Sequence, residues 1–363
     1  MEKGKLDWGG LSHMQKMDER HVYILMESLI SSCEASLDSK EIAQMPTDYL
    51  LFNHGVNTRE ARPLPTYADP LFELIKHYYT AQGRTLKKIA LYWGNLNEAE
   101  EQKLLNVYQT SSIWQQLWFR DFREKQLLQF AGDAALYISR AVGSKVADAL
   151  KDQAVAGLQG YDPKEDRLHI VTHSMGTVIL FDILFSARWD PDYMPGHASV
   201  EMIRAGLFGT SPNPTQGIRL GSISTMGSPI GFFSLLDVTT TTEELQDAQG
   251  HILSTHDITP RLEQFLEALH QELGSKILWN NFVHPGDPIA YPLEKLLPQL
   301  VDSENRYIEI QDILTHPSNL TDFLTEPFSQ TLFALLHGGE AHNSYWQNEQ
   351  VAQQIAQAIE RAV

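Results

Sequence analysis

The run at residues 167–185, RLHIVTHSMGTVILFDILF, constrains the fold of this chain more than any other segment. A short apolar strand leads directly into HSMG (173–176), and an apolar, helix-like stretch follows at once. A strand, a tight turn that carries a serine and a helix together form the geometry of a nucleophile elbow. Gly176 lets strand and helix approach closely, whereas Thr172 stands where the usual G-x-S-x-G pattern has its first glycine. The segment predicts a serine hydroxyl raised above the end of a sheet, beside the N-terminus of the next helix.

Apolar segments of strand length alternate with helix-like segments along the chain. Strands are predicted at 48–52, 88–93, 167–172, 222–226, 276–283 and 306–310, and helices at 21–37, 259–273 and 346–362. Such alternation favours an α/β fold with a mostly parallel central sheet and helices on both faces. Residues 96–157 and 231–258 exceed ordinary connections in length, so they are predicted cap or lid insertions, the first of them helical. We expect one domain over residues 1–363.

Composition excludes several classes of function. The net charge of −18 argues against nucleic acid as a partner and against electrostatic docking on anionic lipid, which leaves at most a transient contact with a membrane surface. Cys33 is the only cysteine, which fits a reducing compartment, and the first residues lack the apolar core of a signal peptide. We therefore expect a cytoplasmic protein. The sequence does not fix the oligomeric state.

Motifs for metals and nucleotides are absent from the sequence. The histidines lack HExxH or similar spacing, and one cysteine cannot build a thiolate zinc site. There is no P-loop, and no G-x-G-x-x-G follows a strand. We predict neither a metal nor a cofactor.

A serine at an elbow needs a base, usually a histidine held in the right tautomer by a carboxylate. In one widespread chain order the serine comes first, the acid next and the histidine last. Asp287 is the favoured acid, because it stands in a Pro-Gly-Asp-Pro turn directly after an apolar strand, where backbone N–H groups can fix it. Asp302 and Asp312 are rivals that lack such a turn.

His342 is the favoured base. It lies in the segment GGEAHNSYW (338–346), a loop directly before the last predicted helix, and it follows Asp287 in the chain. His337 and His316 are rivals, while His284 precedes Asp287 and so breaks the order.

The developing oxyanion needs two preset donors. One is the backbone N–H of Met175, at the start of the helix after the serine. The other is expected in the loop after the 48–52 strand, at Val56 or Gly55.

With Ser174, Asp287 and His342 in this order, the chain resembles the α/β-hydrolase superfamily, and within it the lipase-like serine esterases. The segment NFVHPGDPIAYPLEKLL (281–297) is similar to the acid-bearing segment of the DDHD-domain phospholipases, and HNSYW (342–346) to their histidine-bearing segment. Three further segments resemble parts of these or related hydrolases: THSMGT (172–177), TMGSPI (225–230) and FAGDAALYI (130–138). The resemblance implies an α/β-hydrolase fold and an acyl-ester hydrolase, with Ser174 as nucleophile, Asp287 as orienting acid and His342 as base. It also suggests lipid or phospholipid substrates.

The sequence thus predicts a serine hydrolase that cleaves carboxylic esters, with lipid acyl esters as the leading class. An acyltransferase or a thioesterase would use the same three residues, so the sequence does not separate these activities. An inactive hydrolase-like module that binds partners is a third hypothesis, prompted by Thr172 in the elbow.

Overall fold

A computed structural model describes residues 45–56, 58, 65–96, 98–117, 137, 140–233, 257–315 and 341–362. The predicted helix at 21–37, most of the second insertion and the rival bases His316 and His337 lie outside these residues.

The described core is a parallel sheet with the strand order β2-β1-β3-β4-β5-β6. The strands are β1 (Thr47–Asn53), β2 (Thr85–Leu91), β3 (Arg167–His173), β4 (Arg219–Met226), β5 (Ile277–Val283) and β6 (Ile308–Leu314). All of the strand segments predicted from the sequence are found, and their bounds shift by a few residues. Because neighbouring strands run in one direction, their carboxyl ends form a single edge, and the loops that leave this edge can bring distant residues together.

Helices connect the strands. They are α1 (Asp69–Tyr78), α2 (Glu98–Gln109), α3 (Arg140–Gly157), α4 (Met175–Phe185), α5 (His197–Ala205), α6 (Ile230–Phe233), α7 (Thr259–Leu273), α8 (Leu296–Val301) and α9 (Glu349–Arg361). Short 3₁₀ turns occur at Trp114–Gln116, Ala187–Trp189 and Ser344–Gln347. The predicted helices at 259–273 and 346–362 correspond to α7 and α9.

Apolar side chains cover both faces of the sheet. On one face, Leu50 and Phe52 of β1 pack with α1 and α9, where Ile355 and Ile359 are buried. On the other face, the alternate β1 residues Tyr49 and Leu51 belong to a larger core with α3, α4, α5 and α7. Successive strand residues point to opposite faces, so a strand buried on both sides is apolar along its whole length. The predicted α/β class, with a parallel sheet between two helical layers, is confirmed.

Helix α3 belongs to the range 96–157 that was predicted as a helical cap, but it packs on the sheet. Its residues Val146, Ala147 and Leu150 are buried in the core on the sheet, and the helix contacts β2 and α5. Helical periodicity alone does not say which surface a helix covers, which is why the sequence placed α3 in the insertion. The cap proposal is therefore kept for residues before α3.

Among the described residues, no helix has the length and apolar character required to cross a membrane.

Candidate active site

Ser174 stands at the turn between β3 and α4. Its φ of 53° and ψ of −133° lie in a region that residues with a side chain rarely adopt. The Ser174 N–H donates to the Met226 carbonyl at 3.0 Å, which ties the turn to the end of β4. This strained turn is the elbow that the sequence predicts.

Thr172 and Gly176, the first and last positions of the elbow pattern, have different roles. A Cβ at Gly176 would lie 2.2 Å from the His54 carbonyl oxygen, so only glycine permits this approach of α4 to the end of β1. At the other position, the Thr177 hydroxyl donates to the Thr172 hydroxyl at 2.8 Å. Both threonines are buried, so this bond satisfies the polar group that replaces the usual glycine.

Asp287 and His342 are in direct contact. The distance from His342 Nδ1 to Asp287 Oδ2 is 2.9 Å. The Tyr345 hydroxyl donates to the same oxygen at 2.8 Å, and the Ile289 N–H donates to Oδ1 at 2.9 Å. Burial opposes ionisation of Asp287, but the hydrogen bond from His342 and the other donors hold the pKa of this carboxyl below its ordinary value. An ionised Asp287 assigns the proton of the neutral imidazole to Nδ1 and leaves a lone pair on Nε2.

Gly227 makes room for this acid–base pair. It follows β4 with a φ of +54°, and a Cβ there would lie 2.6 Å from Asp287 Oδ2 and 3.1 Å from His342 Nδ1. Its N–H donates to the Phe282 carbonyl at 3.1 Å. The glycine of the TMGSPI segment is therefore required by space as well as by conformation.

The base lies beside the elbow. The ring centroids of His342 and His173 are 4.5 Å apart, and His173 directly precedes Ser174. Ser174 Oγ and His342 Nε2 are both buried, and neither has a hydrogen-bond partner among the residues that the structure describes. An unpaired hydroxyl and an unpaired imidazole nitrogen are the two groups that a serine–histidine pair joins.

The loop after β1 lies against the nucleophile. A Cβ at Gly55 would be 2.6 Å from Ser174 Cβ and 3.1 Å from Ser174 Oγ. The preceding residue, His54, fixes this loop: the Trp93 N–H donates to His54 Nε2 at 3.1 Å, so the proton lies on Nδ1, which is 2.6 Å from the Gly55 carbonyl oxygen. The His54 ring also stacks on Trp93 with centroids 4.9 Å apart.

The predicted donor residues belong to the two segments that adjoin the serine, the start of α4 and the loop after β1. Met175 is the first residue of α4, where backbone N–H groups have no partner within the helix. Val56 follows Gly55 in the fixed loop. Because a trans peptide is planar, the Val56 N–H points opposite to the Gly55 carbonyl that His54 holds.

The rival acids have other partners. Asp302 accepts hydrogen bonds from the N–H groups of Arg306, Tyr307 and Ile308, at 2.7 to 3.0 Å. Asp312 accepts from the Asn281 side chain at 2.7 Å and from two backbone N–H groups of the 293–294 turn. Both carboxylates hold turns together.

Sequence reasoning missed several residues of the site. His173, Tyr345 and Gly227 each adjoin a chosen residue in space, and all three stand inside the quoted motifs. A search of those motifs for further hydrogen-bonding groups would have found the histidine and the tyrosine. Within the part of the chain that the structure describes, no group of three or more His, Cys, Asp or Glu side chains could hold a metal ion.

Comparisons with known proteins add little. No family model and no curated protein matches the chain. An iodinated complex of acetyl xylan esterase aligns with 79% of this chain and 96% of its own at 9% identity, with a TM-score of 0.24. An uncharacterized protein from Pseudomonas aeruginosa aligns with 95% of this chain at 10% identity and a TM-score of 0.25, and the alignment spans about half of that protein (54%). Likeness at such scores says nothing about the activity of this chain.

Proposed function

We propose that the protein is a serine hydrolase that cleaves carboxylic esters through Ser174, His342 and Asp287. The observation that carries the proposal is the His342–Asp287 hydrogen bond of 2.9 Å, formed beside an elbow that holds Ser174 at a φ of 53°. Ser174 and Asp287 follow β3 and β5 at the carboxyl edge of the sheet, where sites of parallel α/β proteins form, and His342, in a helical turn, contacts Asp287 there.

Each group has one role in the proposed reaction. Ser174 Oγ attacks the ester carbonyl carbon while His342 Nε2 takes its proton, and Asp287 stabilises the resulting imidazolium. His342 then protonates the leaving alkoxide, which departs as an alcohol and leaves an acyl-serine. A water molecule, deprotonated by His342, attacks the acyl-serine; the acyl–Oγ bond then breaks, His342 returns the proton to Ser174 Oγ, and the acid is released.

The negative oxygen of each tetrahedral intermediate needs donors that are already in place. We assign this role to the N–H groups of Met175 and Val56. Loss of one such donor typically lowers kcat by about 10²–10³-fold. His54 supports this assignment because it fixes the Gly55 carbonyl, and with it the direction of the Val56 N–H.

A product assay tests this proposal. Wild-type protein and Ser174→Ala are incubated with 4-nitrophenyl acetate, butyrate and octanoate and with phosphatidylcholine micelles, with and without detergent. We expect hydrolysis by the wild type alone, and the lipid arm tests whether acyl lipids are the substrate class. Equal hydrolysis by Ser174→Ala would refute the proposal. Competing alcohol and thiol acceptors in the same assay distinguish a hydrolase from an acyltransferase.

A further inference from the structure

His173 is a buried histidine that the proposed reaction does not use. It directly precedes the nucleophile in the chain, and only 3% of its surface is exposed. Its ring contacts three aromatic side chains of the 342–346 segment: the ring centroids lie 4.5 Å from His342, 5.8 Å from Tyr345 and 5.5 Å from Trp346.

One short hydrogen bond joins this histidine to the main chain of the base. His173 Nε2 is 2.6 Å from the carbonyl oxygen of His342. A carbonyl only accepts, so Nε2 carries a proton and donates. On the opposite side of the ring, a Cβ at Gly55 would lie 3.2 Å from Nδ1. The ring is therefore held between the backbone of His342 and the loop after β1.

The His342 ring itself is held at only one of its two nitrogens. Nδ1 bonds Asp287, whereas Nε2, the atom that must reach Ser174, has no hydrogen-bond partner within the described part of the chain. The position of Nε2 therefore depends on where the backbone of residue 342 is held. We infer that His173 is a positioning residue, which sets the distance between nucleophile and base by binding the main-chain carbonyl of His342. The inference rests on the proposed function, since it assigns His173 a role in that same reaction.

The charge state of His173 agrees with this role. Burial and the neighbouring His342 lower its pKa to about 3, so the ring is neutral at ordinary pH. A neutral ring has one N–H, and the His342 carbonyl assigns it to Nε2. The donor is therefore present, in one tautomer, wherever the enzyme would work.

Two substitutions separate the hydrogen bond from the packing. His173→Phe keeps a ring against Tyr345 and Trp346 but has no donor. His173→Gln has an amide N–H that can donate to a carbonyl. We expect His173→Phe to lower kcat by about 10²-fold with KM nearly unchanged, because a displacement of about 1 Å at reacting groups has an effect of this size. His173→Gln should recover at least tenfold of that loss. A wild-type kcat in folded His173→Phe, or no recovery with glutamine, would overturn the inference.

A matched control and a measurement on the unaltered protein complete the test. His169 lies on the same strand and is also buried, so His169→Gln should lower stability but leave kcat per folded molecule unchanged. In ¹⁵N-histidine spectra of the wild type, His173 should remain the neutral Nε2–H tautomer from pH 5 to 9. A Nδ1–H or charged form would refute the inference even if the variants do not fold.

Reaction of wild-type Ser174 with a fluorophosphonate is measured first. Its absence would count against the proposed function, whereas wild-type reactivity with an unaffected His173→Phe would count against His173 alone.

Discussion

Among the described residues, a serine, a histidine and an aspartate lie close together both at the edge of the sheet, where we propose the catalytic site, and within its strands. The edge set is Ser174, His342 and Asp287. The interior set is Ser222, His169 and Asp48, whose members all lie within strands and are almost completely buried. In the interior set the serine is bonded to the histidine, with 2.8 Å between His169 Nδ1 and Ser222 Oγ. Residue types and a serine–histidine bond therefore do not by themselves identify a site.

The acids of the two sets differ in their partners. Arg84 donates to Asp48 from Nη2 at 2.7 Å and from Nε to both carboxylate oxygens at 3.0 Å, and the Tyr79 hydroxyl donates at 2.7 Å. Although burial opposes its ionisation, contacts with His169 and Arg84 lower the pKa of Asp48. His169 Nε2 lies 3.6 Å from Asp48 Oδ1, too far for a hydrogen bond, and burial lowers the pKa of His169. Arg84 compensates the Asp48 charge, whereas no lysine or arginine in the described part of the chain forms an ion pair with Asp287, whose partner is His342.

The backbone differs as well. Ser174 has a φ of 53° and adjoins the first amide of α4, while Ser222 is an ordinary strand residue. A register shift between Leu168 and His169 inserts Gly221 as an extra residue of β4 and sets Ser222 opposite His169. The interior set thus joins β1, β3 and β4, whereas the edge set combines a rare backbone conformation at Ser174 with the first amide of α4.

Separate substitutions of His342 and His169 should give the largest difference in activity between the two sets. We expect His342→Ala to lower kcat/KM by at least about 10⁴-fold, because in the proposed reaction His342 takes the Ser174 proton. His169→Gln should lower the free energy of unfolding by about 1–3 kcal/mol with kcat unchanged. Steady-state kinetics and urea denaturation check the pair. A second control, His337→Ala, should retain activity; loss of activity there, with an active His342→Ala, would move the base to His337.

Substitutions of the glycine beside each set, Gly55 and Gly221, should differ in the same way: the first should lower activity and the second stability. A methyl group at Gly55 would meet Ser174 Cβ at 2.6 Å, and one at Gly221 would meet His169 Cε1 at 2.6 Å. Gly55→Ala should lower kcat by about 10²-fold, because it displaces the nucleophile or the oxyanion loop. Gly221→Ala should cost about 1–3 kcal/mol of stability and leave kcat of the folded protein within about twofold. The comparison would be weakened if both variants lost activity equally at equal folded fraction.

Loss of the hydroxyl group of Tyr345 or Tyr79, each of which bonds the acid of one set, should give the smallest effect. Tyr345→Phe removes one hydrogen bond to Asp287, and a bond to a charged group of about 1.5 kcal/mol corresponds to about a tenfold loss in kcat/KM. Tyr79→Phe removes one hydrogen bond to Asp48 and should change only stability. Equal activities of the two variants would contradict the assignment of Asp287.

The hydrogen bond from Tyr345 to Asp287 also predicts how the stability of the protein depends on pH. The pKa of Asp287 in the folded protein lies below its ordinary value of 3.8, so its ionised form adds stability above that pH, and this stability is lost as the pH falls further. Since Tyr345→Phe loses part of this term, the difference in unfolding free energy between wild type and variant should be full at neutral pH. It should shrink below pH 3.8.

The sequence predicts what is local in this fold. The elbow, the strands and the turn around Asp287 follow from periodicity and from turn residues within a few positions of one another. The hydrogen bond from His173 to His342 spans 169 positions, and the space that Gly227 leaves for Asp287 depends on two loops meeting. No local pattern encodes either contact. For the same reason α3 could not be placed on the sheet, and the interior set could not be recognised before β1, β3 and β4 were aligned.

Reaction with a fluorophosphonate probe, followed by mapping of the modified serine, tests the central claim most directly. Wild type, Ser174→Ala and Ser222→Ala are compared as folded proteins, with and without detergent. The account predicts an adduct on Ser174 in the wild type and in Ser222→Ala, and none in Ser174→Ala. An adduct on another serine, or no adduct in folded wild type even with detergent, would contradict it.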